Sequence, residues 1–232
     1  MGEMGRAFDG SYAEYALLPN EQIYPVDSQL PWSELAAVPE TYYTAFGSFK
    51  NLQIKEGDSI LVRAATSGVG LAFLKLVKAQ FPQNRVVGAV RSLAKKDLLQ
   101  HQGFDEIILD EKGVLQTEEK FDKILELVGP ATLKNSFDHI QSAGIICNTG
   151  QLGGKWYVEE FDPIVEIKNN SFLTSFYSGN VSQQLIDELF SYIDAYQINV
   201  SPQRIFSLEQ IPAAHSYIES QVGFGKVVVL ND

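Results

Sequence analysis

The chain has 232 residues, 45% hydrophobic and 11% aromatic, enough to bury a core and to exclude a disordered chain. Its formal charge of -11 argues against a nucleic-acid partner and against an anionic membrane surface, which need clustered cations. The single cysteine, Cys147, excludes an internal disulfide and a cysteine-based zinc cluster; His101, His139 and His215 show no metal-ligand spacing, so no metal is expected.

Residues 1–30 place Gly5, Gly10, Pro19 and Pro25 around Ser11–Pro19, with Tyr12 and Tyr15 alternating, which predicts irregular chain and one or two unpartnered strands. A buried strand is expected over 59–64, followed by a helix over Val69–Gln80 with Leu71, Leu74, Leu76 and Val77 as its apolar stripe. Arg85–Val90 reads as a second strand, and Ala94–Gln102 as a helix stopped by Gly103. Glu106–Leu109 is the third strand and Lys123–Val128 the fourth, closed by Gly129-Pro130. A helix over Ala131–Gln141 leads to a fifth strand, Gly144–Asn148, closed by Thr149-Gly150; Phe172–Phe176 is the sixth. The tail predicts a helix over Ile211–Gln221 and a strand over Lys226–Leu230. Strands alternating with helices at this spacing predict an α/β fold, a doubly wound parallel (Rossmann) sheet with helices on both faces. No apolar run approaches the roughly 20 residues of a spanning helix, and no signal peptide is expected. A soluble, cytoplasmic protein is expected.

The run Ser59-Ile-Leu-Val-Arg-Ala-Ala-Thr-Ser-Gly-Val-Gly70 carries the chemistry. A strand ending in a small-residue turn that opens a helix aims backbone N–H groups and the positive end of the helix dipole at one point, which suits a phosphate. Ala65, Ser67 and Gly70 stand at the glycine positions of a dinucleotide fingerprint, with an additional glycine at Gly68. The competing reading is a strand-to-helix turn that binds nothing. An NAD site ends its second strand with an acid for the ribose hydroxyl. Here Ala89-Val90-Arg91-Ser92 is followed by Lys95 and Lys96, with no acid before Asp97. Arg91 and Lys95 suit a 2′-phosphate, so NADP(H) is expected over NAD(H); Lys96 reads as the solvated face of a helix.

Other residues carry a bland reading beside an active one. A phenol of Tyr42 or Tyr43 near a nicotinamide would donate a proton to a reduced acceptor; the alternative is packing at a domain junction. His215 reads as a helix-surface or capping residue, and Cys147 as a small buried apolar one. Glu126, on the fourth strand, should be hydrogen-bonded for structural reasons if buried. Asp110-Glu111 and Glu118-Glu119 read as solvated loop charges.

Taken together, Asp9–Tyr15, Ala36–Glu40, Thr44-Ala45-Phe46, Ala64–Gly70, Phe121–Gly129 and Gly225–Val228 resemble the medium-chain dehydrogenase/reductase superfamily in its zinc-free quinone oxidoreductase branch. That resemblance implies a GroES-like catalytic domain packed on a Rossmann domain, with hydride passing between nicotinamide and a quinone or activated alkene in the cleft between them. It places Ser67, Gly68 and Val69 along the pyrophosphate, Arg91, Ser92 and Lys95 around the 2′-phosphate, and Val128 and Gly129 along the adenosine. Thr149, Gly150, Leu173, Thr174 and Phe176 would flank the nicotinamide, with Thr44 packed beside it; Thr44 and Tyr43 are the candidate catalytic residues. The catalytic Cys/His set and the four-cysteine loop of the zinc-dependent branch are missing. Family members also carry a longer segment ahead of the stretch matching Gly10–Tyr15. Residues 1–30 are therefore expected to be a remnant of the GroES-like domain, 31–197 the Rossmann domain, and 198–232 a return to that remnant. Three functions stay open: an NADPH-dependent quinone or enone reductase, an NADP(H)-binding remnant without turnover, and a truncated product of a longer dehydrogenase. Removing a domain should leave an apolar patch and unpaired edges at 10–18 and 226–230, expected to pair with each other or be covered by oligomerisation. The resemblance also implies a homodimer through the edge strand near residues 171–176.

Overall fold

The computed structural model describes residues 4–220, 223 and 225–231. In chain order they form α1 (Trp32–Leu35), α2 (Thr41–Leu52), β1 (Ile60–Arg63), α3 (Gly68–Gln80), β2 (Val86–Val90), α4 (Lys96–His101), β3 (Glu106–Glu111) and β4 (Val114–Leu115). These are followed by β5 (Phe121–Glu126), α5 (Leu133–Asp138), β6 (Ile140–Asn148), α6 (Pro163–Glu166), β7 (Phe172–Ser175), α7 (Gln183–Ala195), β8 (Arg204–Ser207), α8 (Ile211–Glu219) and β9 (Val227–Leu230).

A seven-stranded sheet runs β4-β3-β2-β1-β5-β6-β7, parallel except for the short antiparallel β4. Every residue of β1 and β2 is buried, as expected of parallel strands covered on both faces. One apolar layer joins Ile60 and Val62 to Phe46, Phe73, Leu76 and Ile193 under α2, α3 and α7. The other joins Leu61, Val87 and Ile124 to Leu133 and Phe137 of α5. Successive strands step from β1 towards β4 on one side and from β5 towards β7 on the other. The order therefore reverses between β1 and β5, and the crevice outside their carboxyl ends is where open α/β sheets bind ligands. The doubly wound expectation stands.

Several elements differ from expectation, each for a physical reason. In α2 every residue except Lys50 and Asn51 is buried, so this helix has no polar face and no helical periodicity to read. The helix expected over 94–102 opens as a 3-10 turn, Leu93–Lys95, because the Ser92 side chain caps Ala94 N. The strand β6 begins at Ile140, not Gly144, which shortens the preceding helix to Leu133–Asp138; Ala143 there takes a left-handed φ of 59°. The last helix ends at Glu219, and Gln221 lies outside the described residues.

The expected pairing of 10–18 with 226–230 is corrected. Residues 10–18 form no strand, and β9 pairs in parallel with β8, Ile205 opposite Val228, as a separate two-stranded sheet. β9 pairs with β8 because the chain through α8 supplies the crossover that a parallel pair needs. The N-terminal segment reaches this unit through side chains: Asn231 Nδ2 donates to Ala13 O (3.2 Å), and Tyr12 Oη lies 2.8 Å from His215 Nε2. At the far edge of the large sheet, β7 leaves Phe172 and Leu173 exposed.

Candidate functional site

The turn after β1 is built for close approach. Ala64 adopts a left-handed φ of 59°, its carbonyl accepts Ser67 N (3.0 Å), and Ala65 N donates to Ala89 O (3.1 Å). Ser67 is the N-cap of the 13-residue α3, its Oγ accepting Gly70 N at 3.1 Å. A Cβ on Gly70 would stand 3.0 Å from Ala64 O, a tight contact, so the close turn favours glycine there. Gly68 is different: a Cβ would meet Thr41 Cγ2 at 3.5 Å and Gly225 O at 3.7 Å, both ordinary contacts. Its missing side chain leaves space in the cleft and is not demanded by the protein's own packing.

That cleft, about 750 Å³, lies over the carboxyl ends of β1 and β2 and is lined by Ser67, Gly68, Arg91, Ser92, Lys95 and Gly225 among others. Five of the residues proposed from sequence therefore share one surface with the N-terminus of α3. Arg91 is exposed there. Lys95 Nζ donates to Gly223 O (2.8 Å). Val69, the sixth, points its side chain into the core, leaving its backbone to the turn.

The remaining proposed residues lie outside the lining of that cleft: Val128, Gly129, Thr149, Gly150 and Phe176 follow β5, β6 and β7, Leu173 and Thr174 lie within β7, and Tyr43 and Thr44 lie on α2. Gly129 (φ 88°) and Gly150 bring two strand ends together: a Cβ on Gly150 would stand 2.1 Å from Leu127 O. Thr149 Oγ1 lies 2.8 Å from Ser48 Oγ and 3.3 Å from Cys147 Sγ, and Ser48 Oγ donates to Thr44 O (2.8 Å). The Thr149 hydroxyl thus faces α2. Burial pushes the Cys147 thiol above its ordinary range, so it behaves as the buried apolar residue expected. Phe176 lies against Gly47, where a Cβ would come within 2.1 Å of its ring. Leu173 and Thr174 sit on β7 beside β6, with Thr174 opposite Cys147. Thr44 Oγ1 is buried with no protein partner among the described residues.

Tyr43 is buried, and its hydroxyl donates to Asn180 O and accepts from Ser182 N, both at 3.1 Å. Tyr42 donates to Asn199 O (3.4 Å), and burial pushes its phenol far up. Both phenols are thereby tied to the chain flanking α7. His215 stays on the surface of α8 with Tyr12 edge-on, ring centroids 5.6 Å apart.

Sequence reasoning missed Arg63. This last residue of β1 is 0% exposed, and its guanidinium reaches Asp110 Oδ2 from Nη2 (2.5 Å) and Nε (3.2 Å). It also donates to Gly113 O (3.1 Å), Thr132 O (3.2 Å), Asn135 Oδ1 (3.1 Å) and Ser136 Oγ (3.0 Å), with Glu126 Oε2 3.7 Å from Nε. Glu126 Oε1 accepts Val128 N (2.8 Å) and Gly129 N (3.0 Å), and its Oε2 accepts Ser136 Oγ (2.5 Å). Glu126 is hydrogen-bonded as expected. Asp110 is not a solvated loop charge: it is buried against Arg63 and accepts Gly113 N at 2.8 Å. Glu119 is paired with Arg85 (2.9 Å). The signal available was alternation: Arg63, Asp110 and Glu126 each follow an inward residue of one layer (Leu61, Ile108, Ile124) by two positions. Among the described residues no group of three or more His, Cys, Asp or Glu is placed to hold a metal ion, and no helix is long and apolar enough to cross a membrane.

Comparison with known proteins agrees with this architecture. The chain is 24% identical over 235 residues to the "Probable quinone oxidoreductase" of Schizosaccharomyces pombe, covering 95% of this chain and 70% of that one. It is 24% identical over 245 residues to "Probable polyketide synthase 14" of Dictyostelium discoideum, covering 94% of this chain but 8% of the synthase. The chain thus spans a small part of some relatives and about two thirds of others. The crystal structure of Bacillus subtilis protein yhfP with NAD bound superposes with a TM-score of 0.81 at 23% identity, covering 98% of this chain and 72% of that one. A family model described as zinc-binding dehydrogenase matches residues 102–229, more than half of the chain. The chain belongs to this zinc-binding dehydrogenase family and is a quinone-oxidoreductase-like member of the medium-chain dehydrogenase/reductase superfamily.

Proposed function

We propose that this chain is an oxidoreductase that binds NADP(H) and passes hydride to a quinone or an activated alkene. The observation that carries the reading is the single cleft that gathers Ser67, Gly68, Arg91, Ser92 and Lys95 at the N-terminus of α3. Backbone N–H groups at Ser67, Gly68 and Val69 would meet the pyrophosphate with the favourable end of the helix dipole behind them. Arg91, with Lys95 and the Ser92 hydroxyl, would meet the 2′-phosphate through charge-assisted bonds. One structural neighbour was solved with NAD bound; the preference for the phosphorylated dinucleotide rests on these three side chains and on the absence of an acid at the end of β2. The nicotinamide, when bound, supplies the hydride. Val128 and Gly129 would run along the adenosine; Thr44, Thr149, Gly150, Leu173, Thr174 and Phe176 would form the nicotinamide wall, with the unpartnered Thr44 hydroxyl as its polar handle. Residues 1–30 and 198–232 are assigned to a catalytic-domain portion and 31–197 to the dinucleotide domain, and the exposed β7 edge to a homodimer contact.

A second reading, dinucleotide binding without turnover, is favoured by one feature. The Tyr43 hydroxyl is already engaged by backbone, and Thr44, Thr149, Leu173, Thr174 and Phe176 include no proton donor that titrates near neutrality. Fluorescence titration with NADPH and with NADH, followed by quinone added to the same sample, separates the readings. Tighter NADPH binding followed by oxidation supports the reductase; binding without oxidation supports the second reading. Absence of binding to either nucleotide overturns both.

A further inference from the structure

We propose that Arg63 and Glu126 are positioning residues for the dinucleotide, joining the turn after β1 to the turn after β5 so that the crevice between them keeps one width; this rests on the binding role proposed above. The two residues close the strands that flank the reversal of strand order. Arg63 immediately precedes Ala64, whose left-handed φ and carbonyl bond to Ser67 N set the phosphate turn. Glu126 takes the N–H groups of Val128 and Gly129 on one carboxylate oxygen, which orders the second turn. Ser136 connects them, donating to Glu126 while accepting from Arg63. The second turn is held from behind as well, because Thr132 accepts Arg63 through its carbonyl and donates through its N–H to Gly129 O (2.9 Å).

Neither side chain lines the cleft, so neither touches a ligand there. Nor is stability a sufficient reason for the cluster. A buried ion cluster is commonly matched or surpassed in stability by well-packed apolar side chains of the same volume. What it adds is geometry: donors and acceptors that are satisfied in one arrangement of the two turns. A guanidinium is suited to this because its planar fork reaches Asp110, Gly113, Thr132 and Ser136 together, which an ammonium on a flexible stem cannot do.

The test uses the full chain with Arg63→Lys and, separately, Glu126→Gln. The first keeps the charge and loses the fork. The second keeps an acceptor for Val128 and Gly129 but puts a donor or a weaker acceptor against Ser136. Binding of NADPH and NADH is followed by fluorescence at a temperature where each variant is folded, and amide hydrogen exchange is measured on the free protein. The expected result is an equal loss for both nucleotides, about ten-fold in Kd, with faster exchange at Val128 and Gly129 and unchanged protection in the β1–β2 ladder. Folded variants that bind both nucleotides as the wild type does, with a lower melting temperature alone, would overturn the proposal. So would a loss confined to NADPH, which places the effect at the 2′-phosphate. If Arg63→Lys does not fold, Glu126→Gln decides on the same readouts. A wild-type chain that binds neither nucleotide removes the proposed function and this inference with it; wild-type binding with unaltered variants removes the inference alone.

Discussion

Arg63 and Arg91 stand at the carboxyl ends of neighbouring strands, one closing β1 and the other following β2, and their surroundings are opposite. Arg63 lies under α5, fully buried, donating to Asp110, Gly113, Thr132, Asn135 and Ser136, with Glu126 3.7 Å away. Arg91 lies on the open side of the sheet end, exposed in the cleft. The difference teaches that a cation's partners, and not its distance from the site, separate a group that maintains shape from one available to a ligand. Burial demands satisfaction of every donor, whereas an exposed guanidinium keeps its capacity for a phosphate.

Breaking the buried corner should have the largest effect. Arg63→Ala leaves Asp110 and Glu126 as buried carboxylates without their cation, which should lower stability by about 3–5 kcal/mol in urea unfolding. A loss no larger than that of an exposed pair, about 1 kcal/mol or less, would show that the cluster is solvated in practice. The glycines extend the same contrast. Gly150→Ala would drive a Cβ to 2.1 Å from Leu127 O and should cost about 1–3 kcal/mol through forced backbone movement. Gly68→Ala has room beside Thr41 and should change stability by no more than about 0.5 kcal/mol while weakening dinucleotide binding. If the two substitutions destabilise equally, the distinction between a packing glycine and a cleft glycine fails.

Removing the exposed cation tests the other half. Arg91→Ala should leave unfolding unchanged within about 0.5 kcal/mol and raise the Kd for NADPH about ten-fold, leaving NADH unaffected. Equal losses for both nucleotides would mean that Arg91 contacts a part they share.

The exposed corner was readable from the sequence, and the buried one was not. Arg91, Ser92 and Lys95 lie within five positions after an apolar run, and the turn after β1 announces itself through Ser67 and Gly70. Strands β1 and β2 were legible because parallel strands covered on both faces become apolar runs. Arg63 and Asp110 are 47 positions apart, and Asp110 stands beside Glu111, Lys112 and Gly113, a composition that reads as solvated loop. Only the register of β1, β2 and β3 brings the pair to one face. The helix α2 was hidden for the opposite reason: buried on nearly every side, it alternates nothing. The partner of β9 was misjudged because a strand's own residues specify its face and not its neighbour.

Burial without a charged partner gives the smallest effect, and a pH dependence of known sign. Burial pushes the phenols of Tyr42 and Tyr192 well above their ordinary value of 10.0. Above pH 10 the unfolded chain therefore ionises these phenols while the folded chain keeps its protons. Their contribution is intact below that pH and falls as pH rises beyond it. Tyr42→Phe and Tyr192→Phe should each reduce the alkaline slope by at most one proton, about 1.4 kcal/mol per pH unit. At neutral pH the two should differ: Tyr42 gives up one long bond, 3.4 Å to Asn199 O, whereas Tyr192 loses a 2.9 Å bond to Leu76 O, and about 1 kcal/mol with it. Lys75 and Lys123, pushed below 10.5 by burial, favour the fold as they deprotonate and so oppose the phenols just below that pH. The comparison is therefore made between wild type and each phenylalanine variant across pH 9–11, where the lysine contribution cancels. An unchanged slope in Tyr42→Phe would mean that this phenol ionises inside the fold as readily as outside it, and that the junction between α2 and residue 199 opens to water.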